Sequence, residues 1–169
     1  MMGPIMHLAI DHPTRADVRA LLDEHLHDMH ATSAPESVHA LDHSSLAAPG
    51  VTLWSAREDG TLLGIGALKD LGGRHGEIKS MRTATLSRGR GVAAAMLHHL
   101  LTEATARGWD RVSLETGTQD YFAPARRLYA RHGFVECSPF GDYVLDPSSV
   151  FMSRRLDLSG PAPTDPAPG

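Results

Sequence analysis

This chain has little that would let it work through disulfides, membranes or polyanions. Its 169 residues include one cysteine, Cys137, so no internal disulfide can form. That suits a reducing compartment, and a cytoplasmic location is the expectation. No apolar run approaches the ~18–20 residues a membrane helix needs, so no membrane partner is expected. The opening MMGPIMHLAIDHP has neither a basic stretch nor a long apolar core, and no signal peptide is expected. Positive charge is short as well. The formal net charge of -4 argues against general nucleic-acid binding. Repeats are absent. What remains is 41% hydrophobic and 21% charged, the composition of a globular protein, at a length that suits one domain with a real core. The segment from Ser159 to Gly169 is proline-rich and reads as a disordered tail, which leaves residues 1–158 as that single domain.

Hydrophobic periodicity gives the order of elements. His7 to Ile10 alternates as a first strand. Thr14 stands where a cap would precede a helix over Arg15 to about His30, with Val18, Leu21, Leu22, Leu26 and Met29 at helical spacing. A short second helix is expected around Val38, Leu41 and Leu46, closed by Pro49-Gly50. Val51–Arg57, Thr61–Lys69 and Gly76–Thr83 read as an antiparallel meander, weakened or bulged at Gly64 and Gly66. Gly91–Arg107 is the clearest helix, capped by Gly108. Arg111–Thr116 follows as a strand parallel to Gly76–Thr83, because a helix crosses between them. A helix over Phe122–His132 and strands at Phe134–Ser138 and Val150–Leu156 complete the chain. The order implies an α+β fold: a mixed, mostly antiparallel sheet with one central parallel β-α-β crossover and flanking helices.

The richest stretch is Arg88-Gly89-Arg90-Gly91-Val92-Ala93, between a strand and the clearest helix. The first turn of a helix offers unpaired N–H groups and a positive dipole end, and glycine lets an anion approach them. A pyrophosphate cradle is the functional reading; a basic glycine turn is the plain one. No Gly-Lys-Ser/Thr follows, so this is not a P-loop. Gly89-x-Gly91-x-x-Ala94 also matches a dinucleotide fingerprint, with Glu115 ~20 residues on. A NAD(P)-dependent oxidoreductase therefore stays open, although the motif sits mid-chain after a meander.

Arg88-x-x-Gly91-x-Ala93, after the Glu77–Thr83 strand, resembles the acyl-CoA-binding motif of the GNAT acetyltransferases. Leu128-Tyr129-x-x-x-Gly133-Phe134 resembles that family's later motif, in the same order and at about the usual spacing. The resemblance spans His7 to Leu156. MHATSAPESVHAL, HGEIKSMRT and FGDYVLDPSSVFM are similar to a bacterial YsnE-like branch of the family. It implies an acetyl-CoA-dependent N-acetyltransferase that serves a small-molecule amine by direct attack in a ternary complex. Family members often dimerise, so a homodimer stays open.

The resemblance also implies site residues. Arg88 and the backbone of Gly89, Arg90, Gly91, Val92, Ala93 and Ala94 would hold the CoA pyrophosphate. Met81, Arg82 and Thr83 would pair with the pantetheine arm, and their amides would polarise the thioester carbonyl. Phe122 stands where many members have an asparagine, so it would pack against the arm, with Gln119 or backbone groups replacing the lost contact. The family uses the region of the first two helices for the acceptor, which points to His30, Ser33, Glu36, Ser37 and His39. A solvated helix surface is the alternative there.

Two residues are the catalytic candidates. Tyr129 would protonate the leaving thiolate; its plain reading is a core tyrosine. Glu77 would take the proton of the attacking amine. Alternation puts Glu77, Lys79 and Met81 on one sheet face, opposite Ile78 and Ser80. A salt bridge from Glu77 to Lys79 or to a nearby arginine is the competing reading. His39 and His43 are spaced i, i+4, yet no carboxylate or cysteine completes a ligand set, so no metal is expected. Cys137 reads as a buried strand residue rather than a nucleophile. A non-catalytic acyl-CoA-binding module stays open beside the enzymatic readings.

Overall fold

The structure is a computed structural model that describes residues 6–32, 46–84 and 87–156, without the side chains of 25–32. The helix expected around Val38 and the tail from Ser159 lie outside the described residues. The strands are β1 (His7–Asp11), β2 (Val51–Glu58), β3 (Thr61–Asp70), β4 (His75–Thr83), β5 (Arg111–Gly117), β6 (Val135–Glu136) and β7 (Ser149–Arg155). The helices are α1 (Ala16–Thr32), α2 (Val92–Ala106) and α3 (Ala123–Arg131), the last entered through a 3-10 turn at Asp120–Phe122. One sheet runs β1-β2-β3-β4-β5-β7-β6. Every neighbouring pair is antiparallel except β4 and β5, which the α2 crossover joins in parallel. The α+β arrangement read from the sequence is therefore the one observed.

The two sheet faces carry separate apolar clusters. Val18, Leu21 and Leu22 of α1 pack with Leu46 on Leu53, Ile65 and Ala67. On the other face Met96, Leu97, Leu100 and Leu101 of α2, with Leu128 and Tyr129 of α3, cover Trp54, Leu68, Ile78, Val112 and Leu114. Gly64 and Gly66 are where α2 comes closest to β3. A Cβ on Gly66 would lie 2.8 Å from Met96 Cγ, and one on Gly64 would lie 2.9 Å from Val92 Cγ1. Both glycines were read as weak points of a strand; their use is close helix-on-sheet packing. The bulge itself falls beside them, where Ala56 pairs with Gly64 but Arg57 with Leu62.

A second bulge changes the chemistry. Ala67 pairs with Lys79 and Ile65 with Arg82, so β4 spends three residues against two of β3. Ser80 takes the extra step with φ 55. Simple alternation therefore fails: Met81 packs with Ile78 in the α2-side cluster, while Glu77, Lys79 and Arg82 face the α1 side. The strand read over Phe134–Ser138 is shorter than expected, whereas the last strand keeps its length. β6 has two residues, and Cys137 follows it half-buried rather than lying within a strand.

An ion-pair cluster seats α1. Asp11 accepts from Ser55 Oγ (2.6 Å) and Arg57 Nη2 (3.0 Å), and Arg57 Nη1 reaches Asp17 in the first turn of α1 at 2.7 Å. Burial opposes the charge on Asp11, but the Ser55 hydroxyl, the His12 amide and Arg57 outweigh it, and the carboxyl sits below its usual value of 3.8. For Asp17 the Arg57 hydrogen bond is the largest cause of a shift in the same direction. A depressed carboxyl stabilises the fold fully above 3.8 and loses that contribution as pH falls through the lower folded value. Asp11→Asn should thus lower the melting temperature at pH 7, and the gap to wild type should narrow at pH 3; an equal gap at both would refute the assignment. Gly76 gives a second test, because a Cβ there would lie 2.0 Å from the buried Trp109 ring. Gly76→Ala should cost about 1–3 kcal/mol or more by overpacking, read as a fall of several degrees in Tm.

Candidate active site

The parallel pair does not stay paired. β4 and β5 hold register from His75–Arg111 to Ile78–Leu114 and then part, although β4 continues to Thr83 and β5 to Gly117. A cleft of about 570 Å³ fills the opening. Its walls are Glu77 to Thr83 of β4, Leu114 to Gly117 of β5, the start of α2, and Phe122, Ala125, Leu128 and Tyr129 around α3.

At one end lies the glycine loop. Gly89 and Gly91 have φ 82 and 78, and a Cβ on either would meet nothing within 4 Å. Glycine is required there by backbone conformation, not by space. Gly91 precedes α2 directly. No side chain caps the helix, and its first turn carries no acid. Ala95 N–H donates to Gly91 O at 3.0 Å, the bond that opens the helix, so the amides of Val92, Ala93 and Ala94 have no i−4 acceptor within it. Arg88, Gly89, Gly91, Val92, Ala93 and Ala94 all line the cleft. Arg90 does not: its Nη2 is 2.8 Å from both carboxylate oxygens of Glu58. Its side chain therefore leaves the cradle, and sequence had no means of seeing the Glu58 partner.

At the other end polar groups converge on the α1 side of β4. Lys79 Nζ donates to Glu77 Oε2 at 2.9 Å and to the Tyr143 hydroxyl at 2.9 Å, while that hydroxyl donates to Glu77 Oε2 at 2.6 Å. Burial, then Glu77, raises the Tyr143 phenol, which keeps it a neutral donor. Arg82 joins Glu24 of α1 (Nη2 to Oε1, 2.9 Å) to Tyr121 beyond β5. Glu115 accepts from Ser149 Oγ at 2.7 Å. Behind them His75 Nε2 is 2.6 Å from Ser113 Oγ, and Ser113 is 3.0 Å from Ser153. Burial, then Arg111, lowers the His75 pKa.

Tyr129 lines the same cleft. It is 7% exposed, packs edge-on against Phe134 with centroids 5.8 Å apart, and borders the cleft. Its hydroxyl has no hydrogen-bond partner among the described residues. Burial, then Glu115, pushes its pKa above the ordinary phenol value, so it carries its proton at neutral pH. Phe122 also lines the cleft and lies against Gly117, where a Cβ would come 2.4 Å from its Cδ2.

One cleft therefore gathers Glu77, Met81, Arg82, Thr83, Arg88, Gly89, Gly91, Val92, Ala93, Ala94, Phe122 and Tyr129. Ser33, Glu36, Ser37 and His39 lie outside the described residues, as does the side chain of His30. Sequence reasoning passed over Tyr143 and Tyr121 as site residues, and named Glu115 only for the dinucleotide reading. Tyr143 sits in FGDYVLDPSSVFM, a segment noted for its family likeness with no role given to its tyrosine, and nothing local there says which side chain turns back beneath β4. Glu77 is ion-paired with Lys79, so the competing structural reading of that pair is present in the geometry.

Comparison with known proteins fits this arrangement. The model of the acetyltransferase (GNAT) family matches residues 18–134. YsnE of Bacillus subtilis, an uncharacterized N-acetyltransferase, is 52% identical over 151 residues, covering 89% of this chain and 100% of the relative. YedL of Escherichia coli, also an uncharacterized N-acetyltransferase, is 51% identical over 146 residues, covering 86% and 92%. A Bacillus subtilis acetyltransferase solved in complex with CoA superposes with a TM-score of 0.67 at 14% identity, over 90% of this chain and 99% of that one, a likeness of fold. With the family model across most of the chain and two relatives matched nearly end to end, the protein belongs to the GNAT family of N-acetyltransferases.

Proposed function

We propose that the protein transfers an acetyl group from acetyl-CoA to the amine of a small molecule, by direct attack in a ternary complex. One observation carries this reading: a single cleft is lined by an uncapped helix start, by Tyr129 and by the polar group around Glu77. The amides of Gly89 to Ala94 and the Arg88 side chain suit a pyrophosphate. Beyond Ile78 the β4 backbone has no partner strand on its β5 side, which leaves Met81, Arg82 and Thr83 for the amide-rich arm of CoA. Holding amine and thioester together supplies much of the rate.

The chemistry then needs two proton transfers. The amine nitrogen bonds to the thioester carbonyl carbon, and Glu77 takes its proton, directly or through water. The C–S bond breaks, and Tyr129 protonates the sulfur. On the acceptor side, the Arg82–Glu24 contact brings α1 against the end of β4, which supports placing His30, Ser33, Glu36, Ser37 and His39 around the amine. We place the activity in the cytoplasm on the low cysteine content.

Free thiol released from acetyl-CoA, screened over amino acids, aliphatic diamines and arylalkylamines, tests the function. Turnover with one class is expected, and acetyl-CoA should bind in calorimetry where NADH does not. Binding of acetyl-CoA without thiol release on any amine would overturn catalysis in favour of an acyl-CoA-binding module. Tyr129→Phe should lower kcat by about 10–10³-fold with acetyl-CoA affinity little changed, and unchanged turnover removes Tyr129 from the mechanism. Glu77→Gln should lower kcat by about 10²–10⁴-fold if the carboxylate is the base.

A further inference from the structure

We infer that Tyr143 is a positioning residue for Glu77: with Lys79 it fixes one carboxylate oxygen, so that the carboxylate meets the acceptor amine in a single orientation. The inference rests on Glu77 as the base.

Three hydrogen bonds close a triangle. Tyr143 O–H and Lys79 Nζ both donate to Oε2 of Glu77, and Lys79 Nζ also donates to the Tyr143 oxygen. All the bonds to the carboxylate in this cluster fall on Oε2. Glu77 is nonetheless a cleft residue, so its remaining oxygen is the one the geometry assigns to the substrate. A glutamate side chain has many rotamers, and two donors on one oxygen remove most of that freedom before the acceptor arrives.

Tyr143 is itself held. It lies on the stretch between β6 and β7, 66 residues from Glu77 in sequence, and packs against Phe140 and Phe151 with centroids 5.1 and 5.4 Å away. Phe140 and Phe151 are buried and lie edge-on to each other at 6.0 Å. The phenol thus reaches β4 from a fixed aromatic base, and the orientation of the catalytic carboxylate depends on a segment outside the CoA-binding motifs. Lys79 balances the charge of Glu77 where both are nearly excluded from water.

The test is a double-mutant cycle. Tyr143→Phe keeps the ring and its aromatic contacts and removes only the hydroxyl. With acetyl-CoA and whichever amine of the screen above turns over fastest, kcat should fall by about 10–100-fold, the size expected of a misplaced reacting group, while the KM for acetyl-CoA stays within about twofold. In a Glu77→Gln background the same substitution should change kcat by less than about threefold, because residues acting as one unit are not additive. A full, additive loss in that background would overturn the inference, as would unchanged kcat in the single variant. Intact turnover in Glu77→Gln alone would instead remove the base, a different failure. A crystal structure of Tyr143→Phe should show the Glu77 carboxylate turned; an unmoved carboxylate would also overturn the proposal.

Discussion

The site depends on one interruption: two parallel strands that pair for four residues and then separate. Inside a sheet, each backbone N–H and C=O ordinarily finds a neighbour. Where β4 leaves β5, that neighbour is withdrawn, and an edge appears in the middle of the fold rather than at its rim. Edges of this kind invite an extended, amide-bearing partner. The apolar clusters on both faces keep the remaining strands in place. Gly64 and Gly66 let α2 lie close on β3, which sets where the helix start meets the opening.

The bulge at Ser80 works with the split. It turns Arg82 to the α1 side and Met81 to the α2 side. Arg82 then spans from Glu24 to Tyr121, two elements that lie far apart in sequence. The same strand thus presents charged groups toward α1 and apolar ones toward α2. Tyr129, raised by burial, and the Glu77–Lys79–Tyr143 triangle keep titratable groups away from water near the cleft.

Much of this was legible beforehand. The meander, the α2 crossover and the glycine loop follow from local patterns, since alternation, helical spacing and positive-φ glycines are written in adjacent residues. What was not legible depends on distant partners or on one extra residue. Alternation placed Met81 with Glu77, and the Ser80 bulge reversed it. Arg90 was assigned to the cradle through its backbone, and where its side chain goes is set by Glu58 on the β2–β3 hairpin, far off in sequence. Tyr143 was hidden because its meaning comes from β4, far upstream, and not from its turn-forming neighbours.

The Arg90–Glu58 pair has a further consequence. It moors the glycine loop to the end of the first hairpin, so the loop's shape is set by the meander before any cofactor arrives. Rigidity of that kind shifts the ordering cost from binding to folding. The mooring is partly exposed, with Arg90 at 46%, so salt should loosen it more readily than the buried triangle at the other end. The two ends of the cleft would then respond differently to ionic strength: the glycine loop softens while the Glu77–Lys79–Tyr143 end stays set.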